Sequence, residues 1–292
     1  MQKKLIKSNI YSYFLWLTML LVAGSLPFAA MAAAIVTDLT GKVSTQAGGK
    51  TVAVAILSEI EPNARVQLEP GSTLVVLYTR SGDEFVADGP ALIHFRPDAP
   101  VALSGAAPRK RTSAIGKDAG IRIRPAAATQ AAFVMRSARA TARIRLLTLS
   151  GTRVLEDSPE FLWQGIEGVE TYRFELTDET GKSLYETGIT GSRLKLPDTI
   201  RLQAGAGYTW ELSTRASDGR RYVSAGDFSL ASADLQSRAA VLRPAADAPV
   251  SDRVAYAAWL AQMELRDEAR RYWRALAKER PEDPGLRALA AH

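Results

Sequence analysis

Apolar and aromatic residues alternate with polar ones along two segments in the second half of the chain, and this period of two is the strongest constraint on its fold. The alternating residues are Tyr172, Phe174 and Leu176 in one segment and Tyr208, Trp210 and Leu212 in the other. A period of two places such side chains on one face of a strand, as in a half-buried antiparallel sheet. Asp178-Glu179-Thr180-Gly181 directly follows the first segment and predicts a hairpin turn.

The same region carries a pattern of one family of β-sandwiches. Trp163 lies on an earlier predicted strand, and Leu202 lies six residues before Tyr208, which opens the penultimate strand. Residues 143–230 therefore resemble an immunoglobulin-like sandwich of the fibronectin type III class, in which the tyrosine hydroxyl bonds back to the upstream chain. The resemblance implies a spacer or binding module rather than a catalytic domain.

Residues 35–96 also read as short strands separated by turns. The turn signals are Gly48-Gly49, Pro70-Gly71-Ser72, Gly82-Asp83 and Gly89-Pro90. Together with the continuous apolar run Leu74–Tyr78, they predict a small β barrel or sandwich. With Gly41-Lys42-Val43 in its first strand, this segment resembles the FecR-type periplasmic domain of bacterial sensor and regulatory proteins. The resemblance implies a sensory or regulatory role.

Residues 231–292 change to a helical pattern. We expect a first helix that opens at Ser232 or Ala233, a second with Ser251 as its N-cap, and a third that opens at Asp267 and ends before Pro281. The fold class expected for the whole chain is therefore mainly β with an α-helical C-terminus: a small barrel or sandwich, an immunoglobulin-like or fibronectin-like sandwich, and a helical hairpin.

The last two helices resemble a single tetratricopeptide unit. The matching small and large positions are Ala257, Leu260, Ala269 and Trp273. One such unit buries too little apolar surface to be stable alone, because repeats rely on stacked neighbours. Either the hairpin closes the fold by packing on this chain, or it binds another protein. In the second case Tyr256, Trp259 and Trp273 are the candidate partner-helix positions.

The N-terminus has the layout of a secretory signal peptide. Three lysines precede an apolar run of 21 residues from Phe14 to Ala34. Small residues allow cleavage near Ala32 or Ala34, and we expect the remaining chain to be periplasmic. The alternative is an uncleaved anchor, since 21 apolar residues could cross a bilayer.

Residues 97–142 are rich in proline, alanine and glycine and predict a linker. Ten basic residues and one acid fall between Arg109 and Arg145, a local charge of +9. The stretch is either a solvated linker or a contact for an anionic polymer or membrane surface. The candidate anionic-surface contacts are Arg109, Lys110, Arg111, Lys117, Arg122 and Arg124.

The composition leaves little room for catalysis. The chain has no cysteine and only two histidines, His94 and the terminal His292, which excludes thiolate metal sites and cysteine nucleophiles. His94 falls in an alternating strand, where an imidazole is more often a packed or surface residue than a general base. Two acidic pairs, Asp83-Glu84 and Asp178-Glu179, fall in predicted turns, where carboxylates are usually solvated. We therefore predict no catalytic, cofactor-binding or metal-ligating residue and no cofactor.

These features together predict an exported, non-enzymatic protein in five parts. The parts are a signal peptide (1–34), a FecR-like β domain (35–96), a basic linker (97–142), a fibronectin-like sandwich (143–230) and a tetratricopeptide-like helical region (231–292). Such modules suggest an adaptor or sensory protein of the bacterial envelope that binds an envelope protein partner and no nucleic acid. The alternative is a structural envelope protein that binds anionic polysaccharide or a membrane surface.

Overall fold

A computed structural model describes residues 33–47, 49–113, 115 and 143–291, and these described residues belong to one compact unit. The described chain is mainly β, and its helices follow at the C-terminus. This order agrees with the fold class expected from the sequence.

The first part of the chain folds into two five-stranded sheets. Its strands are β1 (Ala34–Thr40), β2 (Val43–Ala47), β3 (Lys50–Ala53), β4 (Glu59–Ile60), β5 (Arg65–Leu68), β6 (Thr73–Tyr78), β7 (Asp83–Asp88), β8 (Ala91–Phe95), β9 (Pro100–Ser104) and β10 (Arg109–Thr112). One sheet has the order β10-β7-β6-β1-β4 and the other β3-β2-β5-β8-β9. Val36 and Val76 of the first sheet and Val66 and Ile93 of the second share one buried core. The two sheets therefore form a sandwich.

Two strands lie where the composition predicted a linker. β9 pairs with β8, and β10 pairs with β7, so residues 100–112 belong to the first sandwich. Proline at the start of β9 and three cations along β10 are tolerated because both strands lie at sheet edges, where a missing N–H or a solvated charge is not costly. The linker prediction is wrong for residues 100–112, and most of its remainder lies outside the described residues.

The middle of the chain forms a second sandwich. Its strands are β11 (Arg145–Leu146), β12 (Thr152–Val154), β13 (Glu160–Gln164), β14 (Thr171–Asp178), β15 (Ser183–Thr190), β16 (Arg193–Lys195), β17 (Gly207–Arg215) and β18 (Arg221–Leu230). A three-stranded sheet has the order β11-β13-β16, and a five-stranded sheet has the order β12-β18-β17-β14-β15. The alternating aromatic residues identified in the sequence face inward, and Phe161, Phe174 and Trp210 meet edge to face or tilted in the core.

The tyrosine interaction predicted from the spacing of Leu202 and Tyr208 is present. The backbone N–H of Gln203 donates to the Tyr208 hydroxyl at 2.6 Å. Gly205 supplies the tight turn between them with a φ of +84°, a conformation that favours glycine. The hydrogen bond ties the loop before β17 to the first residues of that strand.

Four helices end the described chain. They are α1 (Ala233–Leu242), α2 (Val250–Gln262), α3 (Arg266–Glu279) and α4 (Pro284–Ala291). α1 begins at Ala233, one of the two predicted positions, and the Ser232 hydroxyl caps it by accepting from the N–H of Leu235. The prediction of Ser251 as the N-cap of α2 is wrong, because the helix begins at Val250 and Ser251 lies buried inside its first turn. α4 was not predicted from the sequence.

The helices close the fold by packing on the first sandwich. Ile35 of β1 and Leu77 of β6 belong to the same buried cluster as the inner faces of the helices. Their neighbours Val36 and Val76 belong to the sandwich core, so β1 and β6 are buried on both faces. Val241, on the outer side of α1, is 79% exposed.

The candidate partner-helix positions lie inside this packing. Tyr256, Trp259 and Trp273 are all buried, and Tyr256 stacks on Trp259 with ring centroids 5.7 Å apart. The Tyr256 hydroxyl donates to the backbone oxygen of Ala239 at 2.9 Å. These aromatic side chains therefore join the helices to one another and to β1, and they present no surface to another protein.

Candidate functional site

A charged cluster lies where α2 meets the first sandwich. Glu84 on β7 is buried, with 2% of its side chain exposed, and it contacts Arg111 on the neighbouring strand β10. The Arg111 Nε donates to Glu84 Oε2 at 2.6 Å, and its Nη2 donates to the Ser251 hydroxyl. The same Nη2 lies 3.7 Å from Oδ1 of Asp252. One guanidinium therefore joins two strands to the first turn of α2.

The two carboxyl groups of this cluster share a single cation. Burial raises the pKa of Glu84, while Arg111 and the Ser251 hydroxyl act in the opposite direction. Burial likewise raises the pKa of Asp252, and Arg111 lowers it. Thr37, at an irregularity in β1, donates from its hydroxyl to Glu84 Oε1 at 3.3 Å. The ionised state of both carboxyls therefore depends on Arg111.

A second ion pair fastens the helices to β1. Arg280, at the end of α3, contacts the carboxylate of Asp38, and both side chains are about one-fifth exposed. Asp38 also accepts from the N–H of Leu39 at 2.7 Å. Within α2 and α3, Arg253 binds the carboxylate of Glu279 through both terminal nitrogens. The hairpin is thus held to itself and to the first sandwich by charged contacts at two places.

The hairpin also contacts the second sandwich. The Asp267 carboxylate accepts from the N–H of Leu149 at 2.7 Å. The Thr152 hydroxyl donates to the backbone oxygen of Glu264 at 3.1 Å and accepts from the N–H of Arg266 at 3.0 Å. These bonds place the turn between α2 and α3 against β12. The helices consequently bridge the two sandwiches.

The basic stretch is largely neutralised where the structure describes it. Arg109 pairs with Asp88 at 2.8 Å, Lys110 pairs with Asp83 at 2.8 Å, and Arg111 pairs with Glu84. β10 therefore compensates the acidic strand β7 instead of presenting three free cations to an anionic surface. The other candidate contacts, Lys117, Arg122 and Arg124, lie outside the described residues.

An open groove lies on the outer face of the five-stranded sheet of the second sandwich. Its volume is about 820 Å³, and its charged residues are Arg173, Glu186, Arg215 and Arg221. Arg173 Nε donates to Glu186 at 2.7 Å, which raises the pKa of Arg173 and lowers that of Glu186. Thr171, Thr187, Ser213 and Thr214 also line it, and the Thr214 hydroxyl donates to the backbone oxygen of Thr171. The groove therefore carries a net positive charge, which suits an anionic ligand.

The residues considered for catalysis are dispersed. His94 lies on β8, opposite Arg65 of β5 and Val101 of β9, in an ordinary ladder. In the part of the chain that the structure describes, no group of three or more histidine, aspartate or glutamate side chains is arranged to hold a metal ion. Asp83 and Glu84 differ from the turn residues that were expected, because they belong to β7 and Glu84 is buried.

Among the described residues, no helix combines the length and the apolar character needed to cross a membrane. No protein-family model matches the chain, and comparison with curated proteins finds no significant relative.

Proposed function

We propose that this protein is an exported, non-catalytic adaptor or sensory protein of the bacterial envelope that acts through protein–protein interaction. The observation that carries the proposal is the bridge formed by α2 and α3, which contact β1 of the first sandwich and β12 of the second. A bridge of this kind holds the outer surfaces of two β domains in a fixed arrangement. Fixed presentation lowers the entropy lost when a partner contacts both surfaces.

The three modules fit this role by their resemblance to known families. The three-stranded and five-stranded sheets and the bonded Tyr208 support a fibronectin-like assignment for residues 143–230. The FecR-like assignment extends in our proposal to residue 112, to include β9 and β10. The tetratricopeptide-like hairpin uses its aromatic residues internally, so the partner surface lies elsewhere.

Our proposal of export rests on the N-terminal sequence, and the burial of β1 supports one of the two cleavage positions. Ala34 is the first residue of β1, is fully buried, and lies opposite Ile60 and Tyr78. Cleavage after Ala32 leaves that strand whole, whereas cleavage after Ala34 removes its first residue. We therefore assign cleavage to the position after Ala32 and place the mature protein in the periplasm.

The groove on the second sandwich is the surface that we assign to the partner. The test is chemical crosslinking and affinity capture from envelope extract with the mature wild-type protein and with the double variant Arg215→Ala, Arg221→Ala. Arg220→Ala is the control, because Arg220 is also an exposed arginine but lies in the adjacent turn and pairs with Asp218. A protein recovered in stoichiometric amount by the wild type and the control, but not by the double variant, supports the proposal. Recovery that is equal for all three refutes the assignment of the groove.

A second function is favoured by the chemistry of the same groove. The three guanidinium groups of the groove, one of them paired with Glu186, also suit an anionic polysaccharide, the ligand of a structural envelope protein. This alternative predicts salt-sensitive binding to purified anionic polysaccharide, lost in the double variant and kept in Arg220→Ala. If the protein binds polysaccharide in this way and the capture experiment recovers no protein partner, the structural function is supported and the adaptor function is refuted.

A further inference from the structure

The strand β15 presents an unprotected edge. It is eight residues long and, within the described sheets, pairs only with β14. The free N–H and C=O groups of an edge strand are a template for pairing with another chain, and proteins usually blunt them with charge, proline, shortness or a covering element. The other long edges have such features: β10 carries three cations, β9 begins at Pro100, β3 carries Lys50, and β12 packs against α3. β15 has no proline or cation, it is twice as long as β3 or β10, and its one charge, Glu186, is paired with Arg173 of the neighbouring strand.

The side chains at this edge are only partly covered. Tyr185 and Ile189 point toward the sandwich core, but each remains half-buried. The opposite sheet ends in β16, a strand of only three residues. One further strand beside β15 would cover both side chains.

We propose that β15 pairs with β15 of a second copy of this chain, antiparallel across a twofold axis. The pairing joins two five-stranded sheets into one continuous sheet of ten strands. A twofold interface requires a patch that complements itself, so that residue i meets residue j and residue j meets residue i. The sequence of β15 meets this requirement in one register.

The register follows from strand geometry and charge. In a strand, every second residue directs its backbone N–H and C=O groups to the same edge. Two identical antiparallel strands therefore pair odd-numbered residues with odd-numbered ones and even-numbered residues with even-numbered ones. Two registers then lie nearest the middle of β15. The first is centred on Glu186 and sets its carboxylate against that of the second copy, which is unfavourable. The second is centred on Thr187 and sets Glu186 against Gly188.

The register centred on Thr187 is complementary on both faces of the sheet. On the inner face, Tyr185 of each copy meets Ile189 of the other, an aromatic and β-branched pair of the kind that stabilises sheets. On the outer face, Glu186 lies over Gly188 of the second copy. Gly188 is in register with Arg173 on β14, which pairs with Glu186 of its own copy, so in the dimer each guanidinium lies beside two carboxylates, its own and that of the second copy. Charge complementarity thus selects a second copy as the occupant.

The test uses substitutions at Gly188 of the mature protein. A Cβ atom at Gly188 would meet nothing within 4 Å, so the folded monomer accepts a side chain there. Gly188→Glu sets two carboxylates against each other at both ends of the twofold seam, whereas Gly188→Lys sets an ammonium against Glu186. In a sedimentation concentration series, the wild type is expected to show a monomer–dimer equilibrium. Gly188→Glu should weaken dimerisation by about 2- to 30-fold relative to wild type, and Gly188→Lys should retain or strengthen it.

Amide hydrogen exchange provides a second measurement that needs no variant. The free amides of β15 should exchange more slowly as wild-type concentration rises, while those of β3, another edge strand, should not change. A wild type that stays monomeric throughout the series overturns the proposal, as does an equal effect of the two Gly188 variants. Slow exchange of β15 in a strictly monomeric protein would also overturn it, because another segment or another protein would then cover the edge.

Discussion

The shared guanidinium of Arg111 makes a quantitative prediction for the stability of the mature protein. Arg111→Met retains the aliphatic stem but removes the donors to Glu84 and Ser251 and the cation 3.7 Å from Asp252. The Glu84 carboxylate, 2% exposed, then keeps only the Thr37 and Ser251 hydroxyls as neighbours able to bond it. Removing one partner of a buried ion pair costs about 3–5 kcal/mol, because an uncompensated charge stays buried.

We expect a value near the lower end of that range. Arg111 is 36% exposed, so water reaches part of the space that its guanidinium leaves. The expected loss in free energy of unfolding is about 3 kcal/mol. For a chain of this length, that loss corresponds to a decrease in Tm of roughly 6–12 °C. Urea unfolding of wild type and variant, followed by tryptophan fluorescence and circular dichroism, measures the difference.

A double-mutant cycle with Glu84→Gln isolates the charge interaction. The single Glu84→Gln change keeps the side-chain size and removes the buried charge, so it should cost less than Arg111→Met. The double variant should be more stable than the sum of the single effects by about 2 kcal/mol, within the range found for contacting groups. Single effects that add to within about 0.5 kcal/mol would refute the shared-cation account.

The stability loss caused by Arg111→Met should also depend on pH, in a direction that the structure defines. The folded-state pKa of Glu84 lies above the usual 4.5 because of burial, and loss of Arg111 raises it further. A carboxyl whose pKa is raised on folding contributes most stability below its unfolded pKa and loses it as pH rises through the folded pKa. The penalty of Arg111→Met should therefore be largest at pH 7 and smaller at pH 5. An equal penalty at both pH values would show that Glu84 is not the group left uncompensated.

Three other parts of the chain give further predictions. Tyr208→Phe removes the acceptor of a partly buried loop N–H and should cost about 1 kcal/mol by urea unfolding, whereas Tyr185→Phe, whose hydroxyl bonds no described atom, should cost under about 0.5 kcal/mol. Trp259→Ala should cost about 3–5 kcal/mol because the indole is buried between helices, and a change in partner binding at unchanged stability would contradict its place in the core. Mass spectrometry of the exported protein should find Ala33 as the first residue, and a chain beginning at Ile35 would contradict cleavage after Ala32.

The second sandwich was the part most accessible from sequence. Around Tyr172 and Trp210, apolar and polar residues alternate, which predicts strands with one buried and one exposed face. The spacing of Leu202 and Tyr208 predicts a hydrogen bond that the structure contains. Both signals are local, so neither depends on knowing which distant strand pairs with which. α1 was predictable for the same reason, since its Ser232 cap acts within three residues.

The extent of the first sandwich was not predictable from composition. Pro100 and the three cations of β10 resemble linker residues, yet edge strands tolerate both because one side of the strand faces solvent. The run Leu74–Tyr78 did indicate one feature of this sandwich, because a continuously apolar strand is typical of burial on both faces. That signal indicates a covering layer on the outer side of β6, and α2 belongs to that layer.

The candidate site depended on contacts that no local pattern encodes. From its neighbours Asp83 and Phe85, Glu84 is predicted to be one of two solvated carboxylates. It is buried instead, because β10 pairs with β7 and α2 packs beside them. Serine is a common N-cap residue, but the Ser251 hydroxyl accepts a hydrogen bond from Arg111 instead of capping the helix. Both assignments required the tertiary position of α2, which is set by packing on Ile35 and Leu77.

The bridge between helices and first sandwich also bears on how the chain reaches its native state. Arg280 and Asp38 are separated by 242 residues, and the Arg111 contact to Ser251 spans 140 residues. The first sandwich therefore leaves Ile35 and Leu77 uncovered until the last part of the chain has emerged. Contacts of such sequence separation slow folding, because loops must close before the contacts form. A chain truncated before α2 should consequently expose an apolar sheet face and depend on chaperones far more than the full chain does.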